Sequence, residues 1–570
     1  MRFYFILLAL FLAVSLGGQD FQNYLVPTTR TTKDGTTILE APTFPTLSYV
    51  RTHFLSTRPT TPAVELAAPA RLADFVVDGH LELSLKAYLE LVLANNTDIQ
   101  IAKLSVEQPK NAITRALAAF DPSMVASFGS TRTKRPSTSA TEGSAAISSS
   151  LNQPLRLTYT QTLDTGTAYN VGFSGTKSAS NSNLSNFNPS ISSSLNLSIT
   201  QPLLRNRGRG INRINVVMAE SRYKISRNNL VETLLRLVSN AETIYWQVVD
   251  ARENLGVSQQ ALDLAQKTLE RNEQELKLGA IPELDIYQPQ QNVAQREISV
   301  EQAKTNLEQA YDNLRRQIGA DLDPDYRHMS ITLTEPVNPP EEEPTIDAEQ
   351  MVDIAYQRRP DMQTQQENLY LDDLNYKSAA NGLRPDLSLS MNYSSNGTGG
   401  NIYEYSGSGF NRVLVNTIPG GLTDSLNQLF GFDYPSYGVT LSLRFPIRDR
   451  GAIANMADAV VSKKLNALQA RTTQQQIRLD VLNAVANVES SKARVKLSRT
   501  ALEFSEKRLD GEKQKYDLGV SDIFFLLDAQ NALSAAQADL VTQAAAYRRS
   551  ITNLLRVTGQ LLDERGIVVP

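Results

Sequence analysis

The sequence predicts a mixed α and β membrane architecture: a long α-helical coiled-coil bundle continuous with a β-barrel shared between chains, built as an internal tandem repeat. Three observations carry this. The stretch YDLGVSDIFFLLDAQNAL, Tyr516 to Leu533, is echoed by LKLGAIPELDIYQPQQNV, Leu276 to Val293, with Gly519 answering Gly279 and Gln530 answering Gln290 at an offset of 240. Leu230, Leu234, Leu237, Ala241, Ile244, Val248, Ala251, Leu255, Ser258, Leu262, Ala265, Leu269, Asn272 and Leu276 step by four and three, a heptad seam. Between the helical runs, small polar residues alternate with apolar ones at period two, which means strands.

The elements follow in order. MRFYFILLALFLAVSLGGQD has one Arg, an apolar run from Phe3 to Leu16 and small residues before a polar stretch, the layout of a secretory signal over 1–18 with cleavage near Gly17–Gly18. The run is shorter than the ~20 residues a membrane anchor needs. Residues 19–80, rich in Thr and Pro, read as an extended, largely irregular arm. The first repeat, 81–321, opens on a helix with Leu85, Tyr88, Leu89, Val92 and Leu93 on one face. From 120 to 202 it turns to strands, Leu155, Leu157 and Tyr159 alternating with Arg156, Thr158 and Thr160, and Leu195, Leu197 and Ile199 with Asn196, Ser198 and Thr200. KRPSTSATEGSAAISSS and TKSASNSNLSNFNPS read as long loops. A helix with no Pro then runs from Ile211 to Leu278, about 100 Å at 1.5 Å per residue, reverses at Gly279 and returns to Gly319.

Residues 322–346 form a linker with one strand-like piece, Ser330 to Leu333, and the second repeat fills 347–562, with a tail to 570. It has a helix whose Asp361 answers Asp98 at an offset of 263, strands over 385–446, a long helix from Ala452 to Leu518, the turn at Gly519 and a last helix to Gly559. The offset falls from 263 to 240 because the first strand region carries a surplus, TYTQTLDTGTAYNVGFSGTK. This reads as an extra hairpin turning at Asp164–Gly166, and the sequence leaves open whether it joins the barrel.

Composition narrows the function. With 56 Lys and Arg against 60 Asp and Glu there is no basic block for a nucleic-acid partner. No Cys and only three scattered His (His53, His80, His328) leave almost no material for a catalytic, cofactor or metal site, and no N-terminal Cys for a lipid anchor. Export, a polar strand face and long polar loops fit outer-membrane strands with an apolar outside and a wet inside. Four to six strands cannot close the smallest barrel of ~8, and lipid forbids open edges, so several chains have to complete it. A helix of ~100 Å must bury its seam against neighbours. Its small Ala and Ser positions permit close approach and leave Ile298 and Val541 for other partners. The competing reading is a secreted or periplasmic coiled-coil protein without channel activity, which explains the heptads but not the paired strand regions.

The ANNTDI and RRPDM helix ends, the QPLLRNRGRGIN and FPIRDRGAI strand-to-helix junctions, the two Leu-Gly turns and the LLDAQNAL and LRVTG stretches resemble the TolC-type outer-membrane efflux protein family, over roughly Leu81 to Leu562. Each motif is weak alone; together, in this order and duplicated, they are specific. The resemblance implies a homotrimer in outer-membrane lipid, with four strands per chain in one 12-strand barrel above a helical tunnel through the periplasm. It implies a passive, gated exit duct for efflux or type I secretion, without enzyme activity or cofactor. An inner-membrane transporter would drive it through a periplasmic adaptor, or membrane fusion protein. The two turns become the tunnel's tips, and Leu278, Gly279, Ala280, Leu518, Gly519 and Val520 the expected adaptor-docking residues. The family's tip is latched by a Tyr, an Arg and an Asp and narrowed by Asp rings. Tyr516, Asp285 and Asp528 match, whereas Ser521 stands at the Arg position and Phe525 at the other ring position. The expectation is a tip closed partly by Phe524 and Phe525, with Asp528 as the remaining cation-attracting ring.

Overall fold

The computed structural model describes residues 28–31, 37–40, 72–77, 79–137, 147–181, 186–279, 281–337, 346–407 and 413–568. The expected signal segment, much of the 19–80 arm and Ala280 lie outside them. The chain divides into two units. In the first, Met1–Ala70, β1 (Thr28–Thr31) pairs antiparallel with β2 (Thr37–Glu40). This ladder lies within the arm read as extended and largely irregular, and its β-branched Thr and Ile residues favour extended backbone.

In the second unit, Arg71–Pro570, a three-stranded sheet ties the start of the first repeat to the linker. Here β4 (His80–Leu83) lies between β3 (Val76–Val77) and β10 (Ile331–Leu333), with Leu81, Leu83, Ile331 and Leu333 buried on one face. Three helices follow, α1 (Leu85–Asn95), α2 (Thr97–Ser105) and α3 (Glu107–Leu117). The strand region then gives β5 (Ser123–Phe128), β6 (Thr131–Pro136), β7 (Ile147–Thr162), β8 (Ala168–Ser180) and β9 (Phe187–Pro202). The ends of both segments read as loops are therefore strand.

After a short turn of helix, α4 (Arg209–Asn212), the long α5 (Ile214–Lys277) and α6 (Tyr287–Ile318) make the first hairpin. None of the seam residues from Leu230 to Leu276 is exposed. The second repeat supplies α7 (Ala348–Arg358), α8 (Pro360–Gly382), β11 (Asp386–Ser406), β12 (Val413–Ile418), α9 (Leu422–Gly431), β13 (Pro435–Arg444), α10 (Arg450–Asp517), α11 (Ile523–Val557) and α12 (Leu561–Glu564). α7 and α8 break at Arg359, whose φ of −66° and ψ of 129° match the extended backbone that a following proline imposes. Among the described residues no helix is long and apolar enough to cross a membrane.

The repeats meet their own structure at equivalent places. Gly319, at φ 72°, ends α6 beside Asn95; Gly559, at φ 76°, ends its counterpart against Arg358, the residue 263 positions after Asn95. Asn96 caps α2 by accepting from the Asp98 and Ile99 amides, while its own amide donates to Gln317 at 2.9 Å. In the second repeat Arg359 donates to Asp361 at 2.6 Å and to Asp480 at 3.2 Å. The ANNTDI and RRPDM motifs are thus joints that tie the opening helices of each repeat to the hairpin of the same repeat.

All the large strands belong to one sheet with six positions in the order β5 and β6 together, β7, β8, β9, β11, then β12 and β13 together. The resemblance implies four. The difference is the extra hairpin β7–β8, which is inserted between the two strand positions of the first repeat. β12 and β13 are one edge interrupted by α9, a helix the sequence reading missed. α9 lies on the sheet: Ser193 bonds to Ser425, Ser395 donates to the Leu429 carbonyl at 2.8 Å and Ser425 to the Gly397 carbonyl at 2.9 Å, all buried.

Candidate functional site

The sheet leads through short junctions into α5 and α10, and each of these helices is about 100 Å long at 1.5 Å per residue. At those ends Gly279 (φ 72°) and Gly519 (φ 71°) take the left-handed conformation that ends a helix. Their amides donate to the carbonyls of Leu276 and Tyr516, each at 2.9 Å. This geometry leaves the flanking apolar side chains outside: Leu278 is 83%, Leu518 77% and Val520 74% exposed. Ala280 lies outside the described residues.

Tyr516 holds the two tips together. Its hydroxyl is placed 2.6 Å from Asn272 Oδ1 and 3.0 Å from Glu275 Oε2, both on α5, and Arg271 lies over its ring, 5.1 Å from the centroid. Arg271 pairs in turn with Glu275 at 2.8 Å and with Asp517. Burial, then the Glu275 contact, push the Tyr516 hydroxyl up to about 12, so it remains a donor at neutral pH. Asp285, matched by resemblance to this latch, is not among Tyr516's partners; it lies exposed on the 3₁₀ turn Glu283–Ile286. Ser521, at the family's Arg position, donates to Glu512 at 3.1 Å within its own hairpin. Tyr516 therefore bridges the two hairpins through Asn272, Glu275 and Arg271 of the first, and not through the Asp285 that the resemblance implies.

Phe524 and Phe525 pack edge to face, ring centroids 5.5 Å apart, and remain 55% and 51% exposed. Asp528 is half exposed and paired with Arg508 across the turn, so its charge is partly offset within the hairpin. Behind these residues Ile523, Leu526 and Leu527 form a small core against Leu509 and Tyr516. Gln530 is buried and donates to Thr268 at 2.9 Å, a second tie between the hairpins. Its counterpart Gln290 is exposed, so the repeat does not duplicate that tie.

Sequence reasoning missed Asn272, Glu275, Arg271 and Arg508. Asn272 and Leu276 lie on the heptad seam, and a polar residue at a seam position close to the tip is the signal the sequence carries. Tyr516→Phe is expected to cost the tip about 1–3 kcal/mol, because Asn272 is buried and its Nδ2 already lacks a partner. Faster amide exchange confined to residues near Gly279 and Gly519 would register this; unchanged exchange there would count against the latch.

A helical hairpin pair with two glycine tips, joined at its far end to a sheet with one polar and one apolar face, is a distinctive plan. The family model described as outer membrane efflux protein matches residues 170–320 and 351–560, well over half of the chain. The chain belongs to this family. No curated protein sequence matches it. Among solved structures it is similar to the Campylobacter jejuni CmeC outer membrane channel (TM-score 0.58, 17% identity, 84% of this chain and 86% of that one). It is also similar to VceC of Vibrio cholerae (0.55, 14%, 83% and 96%). The open-state MtrE channel of Neisseria gonorrhoeae matches as well (0.55, 18%, 84% and 89%). These likenesses establish the fold, and the family match establishes an outer membrane efflux protein, a channel and not an enzyme. The coiled-coil alternative without a channel is set aside by that membership.

Proposed function

We propose that this efflux protein is the passive exit duct of a multicomponent export system, a homotrimer driven by an inner-membrane pump through a periplasmic adaptor. The observation that carries the reading is the pair of glycine tips with their exposed Leu278, Leu518 and Val520, at the opposite end of the long helices from the sheet. Six such tips, two from each copy, would offer repeated apolar grips on an otherwise polar rim. The energy comes from elsewhere: nothing in the family's chemistry is catalytic, and the tip changes state by helices shifting against one another.

Docking is tested by cross-linking in cells from Leu278→Cys and Leu518→Cys, in a chain that has no other cysteine. The expected product is a periplasmic protein with a helical hairpin, lost when Leu278→Asp and Leu518→Asp are combined although the trimer still assembles. A double Asp variant that exports and cross-links normally would remove the tips from the interface.

The gate is read from current. Phe525→Ala is expected to raise closed-state conductance severalfold, because the aromatic pair occupies the tip; unchanged conductance would refute the aromatic closure. Arg508→Ala, by leaving Asp528 unpaired, is expected to increase the preference for cations, and Asp528→Ala to reduce it.

A further inference from the structure

We infer that the transmembrane wall is built from six strand positions of each copy, so that three copies close an eighteen-strand barrel rather than one of twelve. The inference rests on the trimeric duct proposed above and names what pairs with each open sheet edge: a second copy of the same sheet.

The extra hairpin has every property of the strands around it. Single cross-strand rows run through all six positions on one face: Met124, Tyr159, Val171, Leu197, Tyr393 and Tyr437 stand opposite one another in order. On the other face the matching row is Ser123, Thr160, Asn170, Ser198, Asn392 and Gly438. A hairpin outside the membrane has no reason to continue an apolar row on one side and a polar row on the other. β7 is 16 residues long and β8 13, beyond the ~9–11 that a tilted strand needs to cross the bilayer.

Its turn is also fixed at the level where strands give way to helices. The Gly208 amide donates to the Thr165 carbonyl at 3.0 Å and Arg209 pairs with Asp164 at 3.1 Å. A Cβ at Gly166, whose φ is 89°, would lie 2.6 Å from the Asn206 carbonyl oxygen. The hairpin is held in the wall at its base.

Both outer edges, β5 with β6 and β12 with β13, pair with no further strand among the described residues. Lipid does not tolerate such edges. Six is an even number, so the first and last positions run in opposite directions and meet antiparallel when one copy follows another. Met124 (57% exposed) and Tyr437 (83%) stand at those edges on the same apolar face, so copies joined there keep one apolar side. Barrel diameter grows roughly linearly with strand number, so the mouth would be about 1.5 times as wide as that of a twelve-strand barrel.

The test uses the full chain in lipid nanodiscs, with single cysteines at Val171, Asn170 and Leu441 carrying nitroxide labels read by oxygen and by a water-soluble nickel chelate. Labels from Val171→Cys and Leu441→Cys are expected to favour oxygen, and that from Asn170→Cys the chelate. If Leu441→Cys reports lipid while Val171→Cys reports water, the eighteen-strand wall is overturned and the duct stands. If Leu441→Cys also reports water, the membrane-wall reading falls and takes the inference with it. Electron cryo-microscopy of the unmodified protein counts the strands independently, eighteen supporting the inference and twelve overturning it.

Discussion

Replacing Arg565 with Ala is expected to destabilise the helical body by about 3 kcal/mol, the low end of the range for breaking a buried ion pair. Its partner, Glu242 of α5, is fully buried and receives two contacts from the guanidinium, one at 3.1 Å, and a third from Thr552 Oγ1 at 2.6 Å. Removing the arginine leaves a carboxylate inside a helix bundle with one hydroxyl for company. The low end applies because Arg565 itself keeps 29% of its side chain exposed, which lets water reach the vacated space. A thermal midpoint several degrees lower than the parent's is the expected reading. Glu242→Gln in the Arg565→Ala background should recover part of it, since a neutral amide can still bond to Thr552. A single variant indistinguishable from the parent would mean that the C-terminal segment is not anchored through this pair.

Gly397→Ala is expected to detach α9 from the sheet. A Cβ there would lie 1.9 Å from the Ser425 carbonyl oxygen and 2.9 Å from its carbon, backbone atoms that cannot rotate away. Gly399 is as tight against the Gly421 carbonyl, at 2.1 Å. Lifting the helix breaks the buried bonds of Ser193, Ser395 and Ser425, on the order of 3 kcal/mol at about 1 kcal/mol each. It also separates Phe432 from Tyr393, whose rings now sit 6.3 Å apart. Proteolysis between residues 413 and 434 should accelerate while the tips stay protected; an unchanged cleavage rate would show that the helix yields without cost.

What was legible in the sequence was what repeats with a period. The seam from Leu230 to Leu276 and the alternation in Leu195 to Ile199 announce their geometry because each side chain's environment follows from its spacing. The glycine tips were legible because a left-handed residue is needed to end a long helix at a reversal. α9 was not, because LTDSLNQLFG is short, and its small residue Ser425, with Gly421 just before the helix, serves a sheet surface rather than a helical stripe. The break before Pro360 was available from the RRP triplet alone. The tip's polar partners were the hardest: Tyr516 meets Asn272 and Glu275 across more than 240 positions, and only the packing of one hairpin on the other brings them together. Resemblance supplied Asp285 for that role, whereas the structure sets Asn272 of the α5 seam and Glu275 against the Tyr516 hydroxyl.

The central claim, a gated duct that crosses the outer membrane, is tested most directly by single-channel conductance in a planar bilayer, with the native mass determined on the same detergent-purified sample. The account predicts a trimer with small, cation-preferring currents that grow when Phe525 is replaced by Ala. A monomer that never partitions into the bilayer, or a trimer that passes no current in either form, would contradict it.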